Sequence, residues 1–287
     1  MDNNPIVTVY ITTHNRRKKM LRAFYSVMLQ SYSNIEIVIT DDGSSDDTQM
    51  YGENLAQKYK NVIYIRNDKP KGANSARNNA LRVASGSFIT GLDDDDVFKN
   101  DRINKFISNW NEQYAFLCDN LKNQYVNSFK NDFIQKGNVT ISKKDMLLIN
   151  NATNQVFTKL DYLKNIGGFN ESLKKFQDWD CWLRLSDNYG EGLRLNNQTY
   201  IMYHDEEDRV SKRQKNEDAY YTMVNNNINI YLKYYSYNFI NKYLLENKNG
   251  ELRDVISCKT RKEVLKVLRR NKTFRFLKNK LDIVMSY

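Results

Sequence analysis

Four short apolar runs, each separated from the next by a segment of helical periodicity, constrain this 287-residue chain more than any other feature. The first, Ile6-Val7-Thr8-Val9-Tyr10-Ile11, is β-branched and almost wholly apolar, the mark of a strand buried on both faces, and polar Thr12-Thr13-His14-Asn15-Arg16 follows it. Met20, Ala23, Phe24, Val27, Met28 and Leu29 then recur at helical spacing before a second strand, Ile35 to Ile39, which ends at Asp41-Asp42-Gly43-Ser44. The pattern repeats as a helix over 48–59, a strand over 62–65, a helix over 73–84 and a strand over 87–92. Parallel strands need crossover connections, and helical segments supply them. The spacing predicts an open α/β sheet, mostly parallel and Rossmann-like, with helices on both faces. In such sheets ligands bind outside the carboxyl ends of the strands, where Thr12 to Asn15, Asp41-Asp42 and Asp93 to Asp96 all fall.

From Asp101 the pattern loosens. A helix is expected over 102–114, strands somewhere within 116–129, a loop and then a helix over 176–185, and mostly helix beyond 211. The net charge of +10 is uneven, because residues 253–287 carry eleven Lys/Arg against three Asp/Glu, a net +8. Within that tail Val264, Leu265, Val267, Leu268, Phe274, Phe276, Leu277 and Leu281 lie among basic residues, so it suits either an interfacial helix on an anionic membrane or a helix docked on the protein's own body. Zinc spacing, an RNP motif and a helix-turn-helix pattern are all absent from the sequence, which argues against nucleic acid as a partner. Cys118, Cys181 and Cys258 are too far apart for a disulfide framework or a close-spaced zinc motif. With no signal-like start and no long apolar window, the expected location is cytoplasmic, with peripheral contact at the inner face of the plasma membrane if the tail binds lipid.

Asp93-Asp94-Asp95-Asp96 places four carboxylates directly after a strand. Two carboxylates about 4 Å apart repel by about 1 kcal/mol in water and about 4 kcal/mol at an effective dielectric of 20. A solvated loop, raised pKa values or a divalent cation held by oxygen ligands can each relieve that repulsion. The cation also suits a loop that binds a diphosphate, since Mg²⁺ or Mn²⁺ bridges carboxylate and phosphate oxygens.

Several segments, in order, resemble the inverting glycosyltransferases of family 2, which have the GT-A fold. The opening Val9-Tyr10-Ile11-Thr12-Thr13-His14-Asn15-Arg16 is similar to the family's first strand and loop, and Asp41-Asp42-Gly43-Ser44-Ser45-Asp46-Asp47-Thr48 matches its Asp-Asp-Gly-Ser signature. Gly72 to Asn78 resembles its Gly-x-x-x-Ala-Arg-Asn turn, and the aspartate quartet lies where its Asp-x-Asp-Asp lies. Gly167-Gly168-Phe169-Asn170-Glu171 and Gln177-Asp178-Trp179-Asp180-Cys181-Trp182-Leu183-Arg184 resemble later elements of the same family. The resemblance spans roughly 5–210. It implies a catalytic domain over 1–210, with a nucleotide-sugar half over 1–105 and an acceptor half over 106–210, followed by a helical basic region over 211–287.

The resemblance also implies roles. Thr12, Thr13, Asn15, Asp41, Asp42, Arg77, Asp93 and Asp94 are expected to bind the nucleotide sugar, with Asp41 accepting a hydrogen bond from uracil and Arg77 steadying the diphosphate or sugar. Asp95 is expected to hold Mn²⁺ or Mg²⁺, with His204 completing the metal shell or touching the diphosphate. Asp178 is expected to be the general base that deprotonates the acceptor, and Asp93 and Asp95 to be far less replaceable than Asp94. Asp41-Asp42-Gly43-Ser44 also suits a turn followed by a helix cap from Ser44 or Ser45, which is compatible with base binding. Gln177 stands where the family usually has Glu, which removes a charge that could raise the pKa of Asp178. The implied activity is transfer from a UDP-sugar to a glycan or lipid-linked saccharide in bacterial surface-polysaccharide synthesis. The competing reading, a nucleotidyltransferase on a similar sheet, is expected to carry a glycine-rich phosphate loop after the first strand, and Thr12-Thr13-His14-Asn15 has no glycine.

Overall fold

A computed structural model describes residues 4–132, 137–204, 216–237 and 240. The first half alternates as read: β1 (Val7–Thr13), α1 (Arg17–Met28), β2 (Ile35–Asp41), α2 (Thr48–Lys58), β3 (Val62–Arg66), α3 (Ala73–Val83) and β4 (Phe88–Asp93). β1 pairs in parallel with β2 and β4, and β2 with β3. The carboxyl ends of these strands therefore lie along one edge.

The second half extends the same sheet through β5 (Val97–Phe98), α4 (Arg102–Asn109), β6 (Phe116–Tyr125), β7 (Phe129–Asp132), β8 (Val139–Ile141), α5 (Lys143–Leu148), β9 (Phe157–Lys159), α6 (Leu160–Asn165), α7 (Gln177–Tyr189) and β10 (Gly192–His204). Strand order is β3-β2-β1-β4-β9-β6-β10-β5, with β7 on β6 and β8 on β10. β9 runs antiparallel to both β4 and β6, and β10 runs parallel to β6, so the carboxyl ends of β6 and β10 share the edge used by β1, β2 and β4.

Side chains alternate across a strand, and β1 feeds two cores in that way. Val7, Val9 and Ile11 join the cluster of Phe24, Ile103 and Phe106, whereas Tyr10 joins the opposite one with Ala80, Phe169 and Trp182. This division is the physical content of helices on both faces.

Two expectations shift. The helix predicted over 102–114 ends at Asn109, because Trp110 turns extended and Asn111 takes the Gln113 N–H with its own side chain. The long strand β10 has no clear sequence signature, since polar Asn196-Asn197-Gln198-Thr199 interrupts its alternation where its register on β6 shifts. Beyond it, α8 (Asn216–Asn226) and α9 (Ile228–Leu232) are helical as expected. They pack onto α7: Tyr220, Met223 and Tyr231 join the cluster of Trp179 and Trp182, and Asn227 Nδ2 donates to Asp180 Oδ1 at 2.6 Å. The basic stretch over 253–287 lies outside the described residues.

Candidate active site

A cleft of about 340 Å³ opens at the shared carboxyl edge. Thr12, Thr13, His14 and Arg16 line it from the end of β1, Gly72, Ala73, Ala76 and Arg77 from the start of α3, and Asp42, Asp93, Asp94 and Asp95 from the acidic loops.

The four aspartates relieve their mutual repulsion in different ways. The Asp96 N–H closes a turn onto the Asp93 carbonyl at 3.0 Å. Asp93 accepts from Arg77 Nη2 at 3.2 Å, Gln155 Nε2 at 3.0 Å and Asn154 Nδ2 at 3.2 Å. Asp94 is buried, accepting from the Thr13 hydroxyl at 2.8 Å and from Arg16 Nη1 at 3.1 Å. Burial, only partly offset by Arg16, pushes its carboxyl up to about 6. Asp95 is 25% exposed at its side chain, with Arg16 Nη1 3.3 Å away, and its carbonyl accepts from Arg22. Asp96 is buried as the loop's brace, taking the Tyr200 hydroxyl at 2.8 Å and the Tyr203 N–H at 2.9 Å. Burial, reinforced by Asp93 and Asp95, raises its pKa well above the usual carboxylate range.

This arrangement gives Asp94, expected to be more replaceable than Asp93 and Asp95, a bracing contact of its own. Its carboxylate joins β1 to the loop, and an apolar replacement takes the acceptor from the buried Thr13 hydroxyl and leaves Arg16 with Asp95 in place of both carboxylates. Asp94→Ala is expected to lower stability by about 1–3 kcal/mol, measured by urea unfolding.

The pair after β2, both expected at the nucleotide sugar, also divides. Asp41 is 1% exposed and does not line the cleft. Its Oδ1 takes the Ser44 N–H at 2.8 Å and the Ser44 hydroxyl at 2.5 Å, and its Oδ2 takes the Tyr64 hydroxyl at 2.7 Å. Asp41 thus braces the turn, and Asp42 is the member that faces the cleft. Asp42 Oδ1 accepts from Asn67 Nδ2 and the Lys71 N–H, each at 2.8 Å, and among the described residues Oδ2 accepts only the Gly72 N–H, at 2.7 Å, leaving one lone pair of that oxygen without a donor from them. Asn15, with φ 53, also serves the turn rather than the cleft: its Oδ1 takes the Ser45 N–H at 2.7 Å and the Asp46 N–H at 3.3 Å. Neither serine caps α2; Asp46 Oδ1 takes the Thr48 N–H at 3.0 Å.

Arg77 is buried and links the two halves, lying 3.2 Å from Asp93 and 3.5 Å from Asp178 Oδ1, with its guanidinium 5.3 Å from the Phe169 ring centroid. Asp178 stands in the first turn of α7, after Phe176 in a left-handed conformation at φ 58. Trp179 and Trp182 anchor that helix by donating to the carbonyls of Met146 and Thr153. Asp178 is 19% exposed, and among the described residues its Oδ1 has no hydrogen-bond donor. Burial pushes its carboxyl up to about 7, with Arg77 opposing and Asp93 adding to the rise. Gln177 in place of Glu therefore does not leave the group untuned.

His204, at the end of β10, is not among the residues lining the cleft. Its Nε2 lies 2.6 Å from Asn123 Oδ1 and its ring stacks on Tyr125 with centroids 4.4 Å apart. Among the described residues no group of three or more His, Cys, Asp and Glu side chains is arranged to hold a metal ion.

Sequence reasoning missed Tyr10, Asn154, Gln155 and Tyr200. Tyr10 donates to Gln155 Oε1 at 2.8 Å, and Gln155 passes the contact on to Asp93. Gly91 makes room for this relay, since a Cβ there would sit 2.0 Å from Gln155 Oε1. A glycine inside an apolar strand is the single local signal that something approaches its backbone closely. The Asn78 side chain joins two of the quoted motifs, taking the Phe169 N–H at 2.8 Å and donating to the Phe169 carbonyl at 2.9 Å.

The comparisons with known proteins agree with this architecture. The family model described as "Glycosyl transferase family 2" matches residues 8–166. A chain of Escherichia coli K12 described as a colanic acid biosynthesis glycosyl transferase, WcaA, is 33% identical over 71% of this chain and 74% of its own length. A Campylobacter jejuni GalNAc(5)-diNAcBac-PP-undecaprenol β-1,3-glucosyltransferase is 34% identical over 50% of this chain and 48% of its own. Among solved structures, Staphylococcus aureus TarS residues 1–349 in complex with UDP-GlcNAc superposes with a TM-score of 0.69 at 18% identity, over 87% of this chain and 72% of that one. The Pyrobaculum calidifontis mannosyltransferase PcManGT, in complex with GDP-Man and Mn²⁺, gives 0.59 at 15% identity, over 79% and 65%.

Proposed function

The chain belongs to glycosyl transferase family 2, and on that premise we propose that it moves a sugar, with inversion, from a UDP-sugar to a hydroxyl of a lipid-linked glycan in bacterial surface-polysaccharide synthesis. The observation that carries the mechanism is Asp178, a carboxyl raised to about 7 that lies 3.5 Å from Arg77, while Arg77 itself lines the cleft with Asp93, Asp94 and Asp95. The acceptor class and the nucleotide follow the relatives: the C. jejuni glucosyltransferase is named for an undecaprenol-linked substrate, and TarS is described with UDP-GlcNAc.

In this reading the remaining lone pair of Asp42 accepts the uracil N–H, and the Asp41 turn holds Asp42 in place. Arg77 orients the donor through Asp93. Asp178 removes the acceptor proton as the hydroxyl attacks the anomeric carbon from the face opposite the diphosphate. A base poised near pH 7 combines a substantial ionised fraction with useful basicity.

The carboxylates fit a hard divalent cation, since such ions take oxygen ligands and bind through one or two carboxylates together with substrate phosphates. Asp95 is the partly exposed donor, so the residues suit an ion shared with the diphosphate rather than a protein-only cage. When bound, Mg²⁺ or Mn²⁺ neutralises charge developing on the leaving diphosphate. Asp95→Asn is expected to weaken cation-dependent UDP binding on the order of 10- to 100-fold, whereas His204→Ala leaves it near wild type. Titration calorimetry of UDP with and without Mn²⁺ measures both.

UDP release over UDP-glucose, UDP-galactose and their N-acetyl forms, with and without Mn²⁺, tests the reading as a whole. Turnover or binding with at least one donor is expected; binding of none of them rejects it.

A further inference from the structure

The hairpin of β6 and β7 reverses at the carboxyl end of β6, on the edge of the sheet that carries the cleft, and its exposed tip is apolar. Val126 is 68% exposed, Phe129 61% and Tyr125 39%. Nowhere else among the described residues do three large apolar side chains stand exposed within five consecutive positions. The tip is a tight reversal, closed by the Tyr125 N–H on the Ser128 carbonyl at 2.7 Å. Residues 122–131 contain two lysines and no acidic residue. Lys122 Nζ sits 4.5 Å from the Phe129 ring centroid, and Lys130 is exposed beside it.

We propose that this hairpin is a membrane-contacting element: Val126 and Phe129 enter the headgroup–acyl boundary of an anionic bilayer while Lys122 and Lys130 meet the lipid phosphates. The chemistry is that of interfacial anchors, in which aromatic and aliphatic side chains bury and basic side chains extend to the headgroups. No helix among the described residues is long and apolar enough to cross a membrane, so attachment through the described part of the chain falls to surface elements of this kind.

The position of the hairpin gives the contact a consequence. Tyr125 stacks on His204, and the N–H of the preceding Tyr203 donates to Asp96, the brace of the acidic loop. Arg22 lies over the Tyr203 ring at 4.0 Å and donates to the Asp95 carbonyl. The hairpin base is therefore joined to the catalytic edge through two residues of β10. A bilayer held at the tip would then lie along the same edge of the sheet as the cleft, the side to which a lipid-linked acceptor would bring its sugar. The delivery role rests on the reading of function above, whereas the membrane contact does not.

The test uses the full chain with vesicles of phosphatidylcholine alone or mixed with phosphatidylglycerol. Phe129→Trp is expected to show a blue-shifted emission and quenching by brominated phosphatidylglycerol only with the anionic vesicles. The Val126→Ser/Phe129→Ser double variant is expected to partition about tenfold more weakly than wild type and to keep its turnover on a water-soluble acceptor. Vesicle binding with no spectral change at position 129, or equal partition of the double variant, overturns the proposal by assigning binding to another segment. Absence of vesicle binding also overturns it. Loss of a dimer in the double variant, seen by sedimentation velocity, assigns the patch to self-association and overturns it equally. If no UDP-sugar binds but the position 129 signal persists, the functional reading fails and the membrane contact stands.

Discussion

Asp178→Asn is expected to lower transfer by about 10²- to 10⁴-fold, the contribution typical of a positioned general base, while UDP binding stays near wild type. The amide keeps the shape of the carboxylate but cannot take a proton, and Arg77 retains Asp93 as its partner. For the wild-type protein, kcat/KM is expected to rise about tenfold per pH unit below about 7 and to level above it, because the base must be ionised. Stability moves the other way. A carboxyl whose folded pKa of about 7 exceeds its ordinary value contributes stability at low pH that is lost as pH rises through 7. Asp178→Asn at pH 8 should therefore be as stable as wild type or more so, while it is nearly inactive. A structural carboxylate would give the opposite stability result, and retained turnover would reject the assignment.

Arg77→Met should be destabilising and should displace the pH profile. Methionine preserves packing against Phe169 but leaves Asp93 and Asp178 facing each other without their shared cation. Removing one partner from a buried ion network costs about 3–5 kcal/mol. Arg77 holds the pKa of Asp178 down, so its loss carries that pKa above 7 and moves the rising limb of the rate profile to higher pH. The destabilisation should be larger at pH 8, where Asp178 is ionised, than at pH 5. Denaturant melts at the two pH values and a kcat/KM profile measure these effects; an unshifted profile would show that Arg77 does not tune the base.

Some site residues were legible locally because local chemistry demands them. A run of aspartates after an apolar strand needs compensation wherever it folds, and an arginine early in a helix at the ligand edge is a natural partner. Assigning parts within Asp41-Asp42 or within Asp93 to Asp96 was not possible locally. Neighbouring side chains in a loop differ only in direction, and direction is set by what packs against them. Asp41 turns to Ser44 and Tyr64, Asp42 to Asn67 and the backbone of Lys71 and Gly72. Asp94 turns to Thr13, and Asp96 to Tyr200, 104 residues away. Motif order groups His204 with the metal or the diphosphate, but its ring faces Asn123 and Tyr125 on the neighbouring strand.

The sequence by itself determined the parallel β-α alternation of the first half, the edge at which ligands bind and the residue types gathered there, because hydrophobic periodicity and strand polarity are local properties. Tertiary structure alone decided which carboxylates brace and which face the cleft, how Tyr10 and Gln155 reach Asp93, and that Arg77 joins Asp93 to Asp178. Those pairings follow from the order β1-β4-β9-β6-β10 and from the seating of α7. Burial and the field of distant charges, rather than neighbours in sequence, then set the proton affinity of the proposed base.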